Sequence, residues 1–136
     1  MTEYEDLTHD DVAAAAAHVV AAFSRTDTTA YFTSFSPDAT FVFHTEHRRL
    51  ERRSEYEALW QSWLAEGWQV TECLSSNPFI QLLGDTAVFC HDVTTTINTG
   101  ETTRERETIV FHRSDDGSIL AVHEHLSPLP NSPEAR

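Results

Sequence analysis

The sequence contains no lysine: its nine basic residues are all arginine, set against 22 acidic ones for a formal net charge of −13. Without lysine there is no Schiff-base or lysine general-base mechanism, so any catalysis runs on His, Glu, Asp or Tyr. The shortage of positive charge excludes a nucleic-acid partner and disfavours anionic membrane surfaces. Glycine is scarce, with four in 136 residues, and no phosphate loop, dinucleotide fingerprint or serine-nucleophile elbow is formed from them. Cys73 and Cys90 are far apart and make no CxxC, which fits reduced, buried thiols better than a disulfide framework. No apolar run reaches the roughly 18 to 20 residues of a membrane span. The acidic start from Met1 to Asp6 is the opposite of a secretory n-region, and the expected location is the cytoplasm.

What is present is enough for one core. With 40% hydrophobic and 10% aromatic residues, the chain is predicted to form a single domain over 1–130, followed by a flexible tail at 131–136. Thr8 and Asp11 make a capping pair ahead of Val12, Ala16, Val19, Val20 and Phe23 at helical spacing, predicting a helix over about 9–24. Thr26-Asp27-Thr28 offers a cap for a short second helix with Ala30, Tyr31, Phe32 and Phe35, and Pro37-Asp38 reads as a turn before the strand ATFVFH. Ser54 and Glu57 suggest a capping box for a third helix that carries Tyr56, Leu59, Trp60, Trp63 and Leu64 and stops at Gly67. Strand-like runs follow at 68–74, 79–83, 87–97, 102–113 and 119–127, separated by turn signals. Helices first and one long antiparallel meander afterwards is an α+β pattern with a pocket between the layers.

That order, together with NPFIQLLGD (77–85), TIVFHR (108–113) and VHEHLSPLP (122–130), resembles the nuclear transport factor 2-like, or SnoaL-like, superfamily. Within it the chain is most similar to the calcium/calmodulin-dependent kinase association (hub) domain and its free-standing bacterial relatives. The resemblance implies a cystatin-like, cone-shaped α+β barrel: three helices packed on a curved antiparallel sheet, usually as a homodimer joined through the outer sheet face. Thr94, Thr96, Arg104 and Arg106 would give that face its polar character. The arginine that follows the hub domain's penultimate-strand Thr is replaced by Ile109, and a second hub arginine falls near Val93, so the hub's anion-binding pair is missing. Of the tyrosine, acidic partner and Asp base of ketosteroid-isomerase relatives, only the tyrosine has a counterpart, Tyr31.

Strand alternation places His123 and His125 on one face of the last strand and Glu124 on the other. A five-residue hairpin loop over 114–118 would set Glu107 opposite His125 and avoid facing Glu107 to Glu124, two like charges. In that register Glu107, His123 and His125 form a catalytic acid/base group. His91, Trp60, Trp63, His44, Ile109 and Tyr31 are then the candidate ligand-binding residues. His-x-His is also a metal-ligand spacing, but no further cluster supports it, so neither a metal nor an organic cofactor is expected. Arg48, Arg49, Arg52 and Arg53 alternate with Glu46, Glu51 and Glu55, as in a salt-bridged exposed loop. Two functions remain open: an isomerase-, cyclase- or dehydratase-like enzyme acting on a small, partly apolar molecule, or a non-catalytic ligand-binding or oligomerisation module like the kinase hub.

Overall fold

The computed structural model describes residues 6–130; the tail expected at 131–136 and the first five residues lie outside them. Helix α1 (His9–Ser24) begins with the capping box read from the sequence. The Asp11 N–H donates to the Thr8 hydroxyl at 3.1 Å, and the Thr8 N–H donates to the Asp11 carboxylate at 3.0 Å. Val12, Ala16, Val19 and Ala22 then bury one stripe. Asp27 caps the short α2 (Thr28–Phe32) by accepting from the Ala30 N–H. Helix α3 (Arg53–Ala65) departs from expectation at its start, because its N-cap is Arg52 and makes no side-chain capping bond. The Arg53 side chain instead donates to the Phe35 carbonyl at 2.9 Å and pairs with Glu57 at 3.5 Å, tying the helix to the first strand.

Strand β1 (Phe35–Phe43) precedes α3; β2 (Val70–Leu83), β3 (Thr86–Ile97), β4 (Thr102–Arg113) and β5 (Ile119–Pro128) follow it. The sheet order is β1-β5-β4-β3-β2, leaving β1 and β2 as free edges, so the curved sheet does not close. It is not wholly antiparallel either, since β1 lies parallel to β5. The run read as 68–74 and then 79–83 is one strand, bent in its middle. Asn77 and Pro78 bulge out between the pairs Ser76–Asp92 and Phe79–Cys90, and Asn77 takes a positive φ of 53°. Pro37 and Asp38 likewise sit in an irregularity of β1 between Phe35 and Thr40, where an edge strand tolerates proline.

Helix α1 packs against β2 and β3, and α3 against β1. The aromatic residues gather where the helices meet the sheet. Trp60 is fully buried, stacks on Tyr31 at 4.9 Å between ring centroids, and donates its indole N–H to Thr28 at 2.9 Å. Phe32, Phe35, Phe41 and Tyr56 complete this cluster, which supports the cavity floor from behind.

Candidate active site

On β3 and β4 the predicted alternation holds: Phe89, His91 and Val93 face inward, as do Glu107, Ile109 and Phe111. On β5 it does not. Phe111 pairs with Ala121 but Val110 pairs with His123, so Val122 is an unpaired extra residue. One extra residue inverts every side chain beyond it. Glu124 is therefore buried, at 3% exposed, while His123 and His125 turn to the outer face. Glu107 pairs with Leu126 rather than His125, and the expected Glu107–His123–His125 group is not assembled.

What the bulge assembles is a line of polar groups on the inner face. The His91 Nε2 lies 2.6 Å from a Glu107 oxygen, and the Ser75 hydroxyl lies 2.6 Å from His91 Nδ1. Glu107 and Glu124, diagonal neighbours across β4 and β5, hydrogen-bond to each other. The Tyr31 hydroxyl donates to Glu124 at 3.3 Å and lies 3.0 Å from the Tyr56 hydroxyl. Glu105, Glu107, Glu124, Tyr31 and Tyr56 line a cavity of about 40 Å³, walled by Val19, Val20, Phe23, Val93 and Leu126. Val20 and Cys73 also belong to a groove of about 460 Å³ between α1, β2 and β3. Among the described residues, no arginine lines either space.

Burial sets the protonation of this line. Desolvation raises Glu124 well above the ordinary carboxyl value, and the neighbouring Glu107 charge raises it further. Glu107 is also raised by burial, but its hydrogen bond from Glu124 works the other way. Burial thus pushes both carboxyls up, Glu124 the further, which favours a proton on the pair. His91 is pushed down to about 4, chiefly by desolvation, and is neutral at pH 7. One consistent proton order follows: Ser75 donates to Nδ1, Nε2–H to Glu107, Glu124 to Glu107, and Tyr31 to Glu124. Both tyrosines are raised by burial and stay protonated. Burial also pushes the Cys73 thiol up to about 11, which makes it a poor nucleophile.

Of the candidate residues, the structure brings Glu107, His91 and Tyr31 into this network. His44 does not line the cavity; its Nε2 lies 2.6 Å from the carboxylate of Glu105, which does. Trp60, Trp63 and Ile109 are core or core-facing residues that do not line the cavity. Trp63 lies against Trp68 at 5.1 Å, and Ile109 pairs with Glu124 from beneath. His123 bonds to the Thr40 hydroxyl at 2.7 Å on the outer face. Glu124, Tyr56 and Ser75 were missed, because an unbroken alternation on β5 assigns Glu124 to the solvent side. Among the described residues, no group of three or more His, Cys, Asp or Glu is placed to hold a metal ion. In the expected charged loop Arg48 pairs with Glu55 and Arg49 with Glu51. No helix among the described residues is long and apolar enough to cross a membrane.

Helices over a curved, unclosed five-stranded sheet with a cavity between the layers define a cystatin-like, nuclear transport factor 2-like α+β protein. The chain belongs to the SnoaL-like domain family, whose model matches residues 12–132. No curated protein matches it significantly. Among solved structures it is similar to a nuclear transport factor 2-like protein of unknown function in nutrient uptake from Rhodospirillum rubrum. That match has 20% identity and a TM-score of 0.76, covering 89% of this chain and 100% of the other. It is also similar to a Xanthomonas campestris protein assigned as a calcium/calmodulin-dependent protein kinase II association domain, with 20% identity, 97% and 100% coverage and a TM-score of 0.72. A Parabacteroides distasonis protein assigned as a ketosteroid isomerase matches at 12% identity, 88% and 86% coverage and a TM-score of 0.73.

Proposed function

We propose that this chain is a small-molecule pocket protein of the cytoplasm that acts as an isomerase- or cyclase-like acid/base enzyme on a small, partly apolar carbonyl compound. The observation that carries this reading is the contact between Glu107 and Glu124, buried with Tyr31 in a cavity whose remaining lining includes Glu105, Tyr56 and Thr95 beside valine and phenylalanine. Glu107, ionised and poorly solvated, is the base that takes a proton next to the carbonyl. Glu124 and Tyr31 are the donors that stabilise the developing oxyanion, as a carboxylic acid kept neutral by its surroundings can do. The cavity of about 40 Å³ takes the reacting end, and the adjoining groove of about 460 Å³ takes the apolar body. The absence of arginine from both linings favours an uncharged ligand.

The test is solvent-deuterium incorporation into a panel of enolisable ketones and lactones, read by mass spectrometry. Wild-type protein is expected to label at least one of them, and Glu107→Gln to lose on the order of 10²-fold or more of that rate. Labelling that survives unchanged in Glu107→Gln overturns the assignment.

A second reading, a homo-oligomerisation module, is favoured by the outer sheet face. Leu74, Phe79 and Leu83 stand 55%, 66% and 53% exposed on β2, and the likeness to the Xanthomonas association domain points the same way. The two readings are compatible, since a homodimer through that face leaves the inner cavity free.

A further inference from the structure

His91 lies between the small cavity and the groove that adjoins it. Its side chain has no exposed surface, and its two ring nitrogens are engaged from opposite sides, Nδ1 by Ser75 and Nε2 by Glu107, each at 2.6 Å. Ser75 lines the large α1–β2 groove, whereas Glu107 lines the small inner cavity. The groups facing this line are Glu105 and Glu107 from β4, Glu124 from β5, Cys73 from β2, Tyr31 and Tyr56 from the helices, and His9 from α1 at the groove. We infer that Ser75 and His91 are a proton path by which the proton shared by Glu107 and Glu124 exchanges with water in the groove.

The path rests on the acid-pair reading above and adds its connection to solvent. In the inward direction, a hydronium ion in the groove gives a proton to the Ser75 oxygen and leaves as water, while in the same concerted shift the Ser75 proton passes to Nδ1 and the Nε2 proton to Glu107. The net change is one proton moved from hydronium to the carboxylate, with His91 neutral but in its other tautomer. Once a proton has passed between the two carboxyls, the reverse sequence returns the other one to water. Ser75 and His91 are positioning residues here, because neither touches the reacting end of a ligand. Exchange by this route would let the pair trade a substrate-derived proton for a solvent one without opening the inner cavity.

The experiment needs no substrate. The full-length protein is mixed into D₂O, and the carbonyl stretch of the protonated carboxylic acid is followed by time-resolved infrared spectroscopy. Ser75→Thr and Ser75→Val are compared with wild type, since the two side chains share a shape and differ in the hydroxyl. Ser75 is exposed on an edge strand, so both variants fold. Exchange in Ser75→Thr is expected to match wild type, and in Ser75→Val to be at least about tenfold slower. Equal rates in all three overturn the path and place the exchange at the cavity mouth beside Glu105. If wild-type protein shows no protonated-carboxyl band at neutral pH, the acid pair itself is refuted, a result distinct from failure of the path.

Discussion

Two carboxyl groups in hydrogen-bond contact invert an argument that holds on the surface. Opposed like charges destabilise a strand pair when both are ionised. In the buried setting of Glu107 and Glu124, one proton removes one charge and converts the repulsion into a donor–acceptor contact. The sign of the resulting pH dependence is fixed by the direction of the shift. Because Glu124 is raised above its ordinary value of 4.5, the folded chain keeps a proton that the unfolded chain releases, so this group's stabilisation is full below 4.5 and lost as pH rises. Glu124→Gln supplies a permanent neutral donor in the same shape. Its stability relative to wild type is expected to increase between about pH 5 and about pH 8, measured by urea denaturation; a constant difference refutes the shared proton. His91 works in the opposite direction. With its value lowered to about 4 from 6.5, the unfolded chain gains a proton first on acidification, so the stability from its neutral burial is lost as pH falls through that window. The span corresponds to about 3 kcal/mol.

At the scale of elements, one residue decides the site. Val122 is the unpaired residue of β5, and it converts an inward His123 and His125 into an inward Glu124. Deleting Val122 removes the mismatch and leaves a regular ladder in which Ala121 and Glu124 still face inward and His123 and His125 outward. The deletion variant is therefore expected to keep a cooperative thermal melt and the inner network, and His123→Ala, on the outer face, should leave both intact as well. Loss of the infrared signature of the acid pair in the deletion variant would refute this register. The β2 bulge is a milder case. Asn77, at φ 53°, occupies a conformation that β-branched residues resist, so Asn77→Val is expected to cost about 1–2 kcal/mol in denaturant melts and Asn77→Gly close to nothing. Other elements were legible from local chemistry alone: the Thr8–Asp11 box, a cap within Thr26-Asp27-Thr28, which the structure gives to Asp27, and the Gly67 stop all sit where their short-range hydrogen bonds and backbone freedom require. Both bulges escaped a reading by alternation, since a bulge is a mismatch between two strands and neither strand records it in isolation.

Across the whole molecule, an acidic surface with a net charge of −13 keeps copies apart except where apolar side chains can offset the repulsion. Leu74, Phe79 and Leu83 are such side chains, all on one edge strand. A homodimer through this face should appear in analytical ultracentrifugation, tighten with salt as the charge is screened, and be lost in Phe79→Glu without change to the infrared signature of the acid pair. A wild-type monomer at high micromolar concentration would refute the dimer. Composition and local pattern were sufficient for the α+β class, the three helices and the long strands after them, because each depends on residue type and short-range periodicity. Which carboxylates meet, and which histidines face away, was settled in three dimensions. Those outcomes turn on strand register, and register is set jointly by the hydrogen bonds of two strands and by the core they must enclose.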